Sequence, residues 1–97
     1  MSKNVFADLG FDRPDEELLK AQIVVMLRGA IERKKLTQSE AAKRLGLAQS
    51  DVSRLVNGKI AGYSLDRMLG FLASLGLDVE IRTRPVRGRP GRITLAA

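Results

Sequence analysis

The sequence contains no cysteine and no histidine, and these absences exclude several kinds of site. Without cysteine there is no disulfide, thiolate metal site or cysteine nucleophile, and without histidine there is no imidazole ligand or base. The carboxylates are scattered along the chain, and no glycine-rich phosphate loop follows a βα pattern. We therefore expect no catalytic activity, no metal and no cofactor.

Long apolar runs are also missing. No run approaches the ~20 residues that a membrane helix needs, and the N-terminus lacks the apolar core of a signal peptide. These features predict a cytoplasmic protein with no membrane partner. The 97 residues suffice for one domain, and a chain this short gains stability readily by forming an oligomer.

Aromatic residues make up only 4% of the chain, whereas basic residues outnumber acidic ones by 17 to 11. The net charge of +6 favours a polyanionic partner, although solubility alone could account for it. Proteins that read single-stranded RNA display aromatic stacking platforms, and the few aromatic residues here form no such series. RNA is therefore a less favoured partner than double-stranded DNA.

The spacing of apolar residues predicts four helices. The first covers residues 15–34, because Pro14 suits a helix start and three acids follow it. Thr37 and Glu40 have the spacing of a capping box, so a second helix should run from residue 38 to 45 and end at Gly46. A third should cover residues 49–57, and a fourth should begin after Ser64 and end at Gly76.

Apolar residues then alternate with polar ones in residues 77–84, which predicts a half-buried β-strand. A lone strand in a helical chain needs a partner. We favour pairing with a second copy of the chain across a two-fold axis, through Leu77, Val79 and Ile81. Pairing with residues 3–8 is the alternative. The predicted organisation is thus an N-terminal arm (1–14), a helical domain (15–76), a dimerisation strand (77–84) and a flexible basic tail (85–97).

The second and third predicted helices satisfy the requirements of a helix-turn-helix unit. Two short helices that cross steeply need a small residue at their contact, which Ala42 supplies, and a turn residue that tolerates positive φ, which Gly46 supplies. The angle would be held by a cluster of four apolar residues: Leu45, Leu47, Val52 and Leu55.

Residues 37–59, TQSEAAKRLGLAQSDVSRLVNGK, resemble the Xre/Cro/C1-type helix-turn-helix family. The segments SLDRM (64–68) and LGLDVEI (75–81) resemble its HigA-like antitoxin subgroup, and so does VFADLGF (5–11). The resemblance covers about residues 18–82. It implies an all-α, lambda-repressor-like domain of four to five helices, here with the added C-terminal strand, and a homodimeric transcriptional regulator, most simply a repressor.

The resemblance also implies that the third helix enters the major groove of DNA. Its base-contacting residues would be Gln49, Ser50, Ser53 and Arg54, whose side chains suit base recognition because glutamine can pair with adenine and arginine with guanine. Contacts to phosphates would come from Gln38, Lys43, Asn57 and Lys59. Without the motif, these would be ordinary solvated surface residues. Asp51 would either accept from a cytosine amine or cap the helix, and we favour the cap.

Five arginines and no acid follow Ile81. Arg87-Gly88-Arg89-Pro90 resembles the core of an AT-hook, which lies in the minor groove of A·T-rich DNA. The alternative is that Arg87, Arg89 and Arg92 make nonspecific phosphate contacts.

The HigA-like resemblance further implies a RelE-like toxin as a second partner. Toxin neutralisation, with DNA binding secondary, is thus an alternative function. The apolar residues of the N-terminal arm, Val5, Phe6, Leu9 and Phe11, would contact the toxin or a second copy of the chain. They could equally pack against the first helix.

Overall fold

The computed structural model describes residues 13–95, of which the side chains are described from Asp15 onward. In this part of the chain there are four α-helices: α1 (Arg13–Arg33), α2 (Gln38–Leu45), α3 (Gln49–Val56) and α4 (Leu65–Ser74). All four predicted helices are therefore present, with ends that differ by at most two residues from those expected. None of these helices is long and apolar enough to cross a membrane.

Helix α1 is the longest element, and it packs against α4 and α3. Its inward face is formed by five side chains that recur at helical spacing: Leu19, Ile23, Val24, Leu27 and Ala30. Glu16, one of the three acids expected to complement the helix dipole, is buried. Its carboxylate lies 3.9 Å from the ammonium group of Lys20, which is also buried. Glu16 and Lys20 thus form a largely buried ion pair between residues one turn apart on α1.

Helix α1 ends in a left-handed residue that is not glycine. Lys35 has φ = 53°, and the amide of Leu36 donates to the carbonyl of Ile31 over 3.0 Å. This six-to-one bond is the mark of a Schellman motif, which satisfies carbonyls that the end of a helix leaves without a partner. The chain thereby reverses towards α2 within a few residues.

The core lies where α1, α3 and α4 meet. The largest fully buried side chains come from these three helices: Ile23, Leu27, Val52, Leu55, Met68 and, just after α4, Leu75. Helix α2 adds Ala41, Ala42 and Leu45, and it packs against α3 and α4. The two short helices α2 and α3 are therefore held against a platform made by the two longer ones.

The predicted β-strand at residues 77–84 is wrong, and with it the part of the fold prediction that added a strand to the helical domain. The described residues contain no β-strand, and the chain after α4 is irregular to residue 95. A strand requires a hydrogen-bonded neighbour, and no second extended segment pairs with this one among the described residues. Leu77 instead packs against the core of its own chain, whereas Val79 and Ile81 are 40% and 84% exposed.

The C-terminal segment returns to the helical core. Leu95 is half-buried against it. Just before this point, Arg92, Ile93 and Thr94 line a shallow groove along the first half of α1, whose other wall includes Leu18 and Leu19. The arginine-rich residues therefore lie between two contacts with the core, at Leu77 and at Leu95. The flexibility expected for residues 85–97 stays a prediction.

Candidate nucleic-acid interface

The α2–α3 unit has the geometry that the sequence predicts. The hydroxyl of Thr37 accepts from the amide of Glu40 over 3.1 Å, and the amide of Thr37 donates to the Glu40 carboxylate over 2.9 Å. These two bonds form a complete capping box at the start of α2. At its end, Gly46 adopts φ = 69°, and the amides of Gly46 and Leu47 donate to the carbonyl of Ala42. Both ends of α2 are therefore fixed by local hydrogen bonds.

Thr37 lowers the pKa of Glu40 below its ordinary value, because its backbone amide and its hydroxyl group can both donate to the Glu40 carboxylate and favour the ionised form. The backbone bond of Thr37 has the largest effect, followed by the bond with its hydroxyl. The positive charges of Arg44 and Lys43 act in the same direction. Glu40 is thus ionised at neutral pH and occupied in fixing the helix.

Helix α3 has one buried side and one exposed side. Val52 and Leu55 are completely buried, which orients the helix on the core. Gln49, Ser50 and Arg54 are exposed. Ser53, the fourth residue expected to contact bases, is half-buried. An amphipathic helix of this kind presents its polar side chains outward because its apolar positions are taken up by packing.

Asp51 does not cap α3. The N-cap position is occupied by Ala48, which makes no side-chain capping bond. The carboxylate of Asp51 instead accepts a hydrogen bond from the guanidinium group of Arg54, one turn later on the same helix. The expectation that Asp51 caps the helix is therefore not met.

The residues expected to contact phosphates lie at the edges of this exposed surface. Gln38 opens α2, Lys43 lies in its last turn, and Lys59 follows α3; all three are exposed. Asn57 is exposed too and is the C-cap of α3, where its side-chain amide donates to the carbonyl of Ser53 over 2.7 Å. Part of its hydrogen-bonding capacity therefore serves the end of the helix. The roles of these residues in DNA binding stay predictions.

Arg67, near the start of α4, was not among the residues singled out from the sequence. Its guanidinium carbon lies 5.0 Å from the ring centre of Tyr63 and 5.5 Å from that of Phe71. The two rings form an edge-to-face pair with their centres 5.7 Å apart. Such contacts favour one placement of an exposed arginine side chain. The spacing of Tyr63, Arg67 and Phe71, four residues apart each time, was the signal that could have identified it.

The arginines after residue 85 are exposed, and their contact with the minor groove or with phosphates stays a prediction. The chain bends at residues 87–89, where Gly88 adopts φ = 78°. Arg89 donates to the carbonyl of Pro90 over 3.0 Å. Arg92 lines the groove along α1, as does Asp15.

Within residues 13–95 there is no cluster of three or more acidic, cysteine or histidine residues that could hold a metal ion. The arrangement consists instead of a short exposed helix bordered by amide and ammonium side chains. Such a surface can donate and accept hydrogen bonds and can offset the negative charge of a partner.

Comparisons with known proteins identify this unit. The sequence profile of a helix-turn-helix domain family matches residues 5–84. The chain therefore belongs to a helix-turn-helix family. A solved structure whose name assigns it provisionally to the XRE family of transcriptional regulators is 36% identical, with a TM-score of 0.78. The alignment covers 89% of this chain and 99% of that one. A search of the curated proteins finds no match.

The family profile and the similar solved structure together place the chain in the Xre-type helix-turn-helix family, as the sequence motif indicated. They do not distinguish the HigA-like subgroup, which stays a prediction.

Proposed function

We propose that the protein is a transcriptional regulator that binds double-stranded DNA sequence-specifically and acts as a repressor. The observation that carries this proposal is the α2–α3 unit. Its apolar residues fix α3 on the core, and the opposite side presents Gln49, Ser50 and Arg54 to solvent. In family members with this unit, the second of the two helices is the one that enters the major groove.

Recognition would combine two kinds of contact. Gln49 can form a bidentate pair with adenine and Arg54 with guanine, while the serine hydroxyls accept several bases. Gln38 and Lys59, at the two edges of the unit, would bind phosphates and set the position of α3 along the groove. Neither step forms or breaks a covalent bond, so the proposed function requires no catalytic residue and no cofactor.

A homodimer fits this function because one helix of eight residues can read only a few base pairs. Two copies related by a two-fold axis would place two recognition helices about 34 Å apart, one turn of DNA, on a pseudo-palindromic site. Leu18 and Val25, seven residues apart on one face of α1, are 60% and 68% exposed, and a second copy of the chain would cover them. They support a second copy of the chain as a partner.

The antitoxin role rests on the sequence resemblance alone. The residues expected to contact a RelE-like toxin, Val5, Phe6, Leu9 and Phe11, lie outside the described residues. Toxin neutralisation therefore stays a prediction, secondary to the DNA-binding function.

The proposal can be tested by fluorescence anisotropy with a labelled duplex from the promoter of the protein's own gene and a scrambled duplex of equal length. We expect tighter binding to the promoter at physiological salt. The triple variant Q49A/S50A/R54A should lose this preference. R28A, which removes one exposed charge from α1, is the charge-matched control and should keep it. Equal, steeply salt-dependent binding of the wild-type protein to both duplexes would refute sequence-specific recognition.

A further inference from the structure

The recognition helix carries one acid among its exposed polar residues, and this acid is paired. We propose that Asp51 is a positioning residue that determines specificity: its carboxylate holds the guanidinium group of Arg54 in the orientation that reads guanine. The inference rests on the proposed function, because it concerns how the same surface chooses its DNA sequence.

The geometry supplies the first step. One terminal nitrogen of Arg54 donates to Oδ1 of Asp51, three residues earlier and on the same side of the helix. The side chains are 64% and 36% exposed, so the pair lies at the surface and remains reachable by a partner. Arginine carries five N–H donors in a rigid fork. A single bond to Asp51 therefore restricts the orientations of the guanidinium group and leaves donors for a base.

The second step concerns what the pairing does for recognition. A long, exposed arginine side chain samples many rotamers, and a partner must select one of them at a cost in entropy. A bidentate contact with O6 and N7 of guanine requires one orientation of the fork. Pre-orientation by Asp51 favours this contact over a loose contact with a phosphate, for which any orientation serves.

The third step concerns charge. Arg54 is the only basic residue in α3, and an acid beside it lowers the attraction of this helix for the phosphate backbone in general. Asp51 makes no capping bond; it lies in the first turn of α3, where an acid also complements the helix dipole. A carboxylate that weakens general DNA binding but orders the one basic side chain contributes to specificity rather than to affinity.

The test begins with selection of duplexes from a random-sequence library by the wild-type protein. The selected consensus and a set of duplexes with each guanine replaced then serve as probes in anisotropy titrations. The variants are R54A, D51A, D51E and the double variant. We expect R54A to lose the preference for one guanine. D51A should lower that same preference about tenfold, which corresponds to one good base contact, while binding scrambled DNA as well as the wild type or better.

Two controls separate positioning from other roles. In D51E the carboxylate stays within reach of Arg54, so this variant should recover part of the lost preference. In the R54A background, the change of Asp51 to alanine should have no further effect on discrimination. Thermal melting of each variant checks that the fold is kept, and D51N replaces D51A if the alanine variant does not fold.

The outcomes are distinct. If the wild-type protein selects no consensus, the proposed function fails, and this inference fails with it. If it selects a consensus but D51A discriminates as well as the wild type, only the inference is overturned. It is also overturned if D51A lowers discrimination equally in the absence of Arg54, or if R54A changes no base preference.

Discussion

All four described helices are followed by a residue in the left-handed conformation, and only the one after α1 is not glycine. Gly46 follows α2 with φ = 69°, and Lys35 follows α1 with φ = 53°. A residue with a Cβ atom pays about 1 kcal/mol or more to adopt this conformation. The lysine is therefore tolerated because the surrounding hydrogen bonds impose its backbone geometry.

Exchanging these residue types should change stability in opposite directions. We expect G46A to lower the free energy of unfolding by about 1 kcal/mol, although a Cβ atom there would have no neighbour within 4 Å. K35G should raise it by up to a similar amount. Urea denaturation followed by circular dichroism measures both. Unchanged stability in G46A would show that the backbone at this turn relaxes to another conformation.

Arg54 and Lys59 illustrate two different contributions to DNA binding. We expect R54A to weaken binding to the target duplex and to relax the preference at one base pair by about 1–3 kcal/mol. K59A should weaken binding to all duplexes to a similar degree and reduce the dependence on salt by about one phosphate contact. Anisotropy titrations over a salt series distinguish the two. An equal loss on target and random DNA for R54A would contradict its assigned role.

At the scale of the helices, local sequence signals predicted most of the fold. The capping box at Thr37 and Glu40, the left-handed Gly46 and the cap at Ser64 all occupy the positions expected of them. These signals are reliable because each depends on hydrogen bonds between residues close in sequence. The surface of α3 followed from the same spacing, since burial of Val52 and Leu55 decides which residues face outward.

The features that the sequence did not predict have a common physical cause: each depends on contacts between residues that are distant in sequence or on packing. Alternation of polar and apolar residues in 77–84 fits a strand, but only a hydrogen-bonded neighbour could form one. Burial of the Glu16–Lys20 pair and the return of Leu95 to the core are likewise decided by packing. The pairing of Asp51 with Arg54 could have been predicted from the sequence, because residues three apart on a helix are neighbours on its surface.

The capping box makes the stability of α2 depend on pH. Because the pKa of Glu40 is lowered in the folded protein, its contribution is fully present above the ordinary value of 4.5. It is lost as the pH falls through the lower, folded-state value. We expect E40Q to weaken this acid-dependent loss of stability, since glutamine can accept the bond from Thr37 without titrating.

Thermal melting of the wild type and E40Q between pH 7 and pH 3 would measure the difference. E32Q, which removes an exposed carboxylate from the last turn of α1, is the matched control. If the melting temperatures of the wild type and E40Q fell in parallel as the pH is lowered, the capping box would not be the cause of the acid-dependent loss of stability.

At the scale of the whole molecule, the positive charge is spread over the helical domain and the C-terminal segment. If Arg87 and Arg89 contact phosphates, replacing both by glutamine should flatten the dependence of log K on log salt by about 0.9 per lost contact. The same titrations that compare promoter and scrambled DNA provide the measurement. The R28Q/R33Q pair on α1 removes the same charge and serves as the control. An unchanged slope would show that these arginines do not meet the DNA backbone.

The second contact of the C-terminal segment with the core has a consequence for how its arginines could bind. Leu77 and Leu95 both pack against the core, so the residues between them form a closed loop whose two ends are held. A loop held at both ends samples far fewer shapes than a free tail of equal length. Its arginines would therefore lose less conformational entropy when they bind DNA. They would also stay close to the helical domain that binds the same DNA.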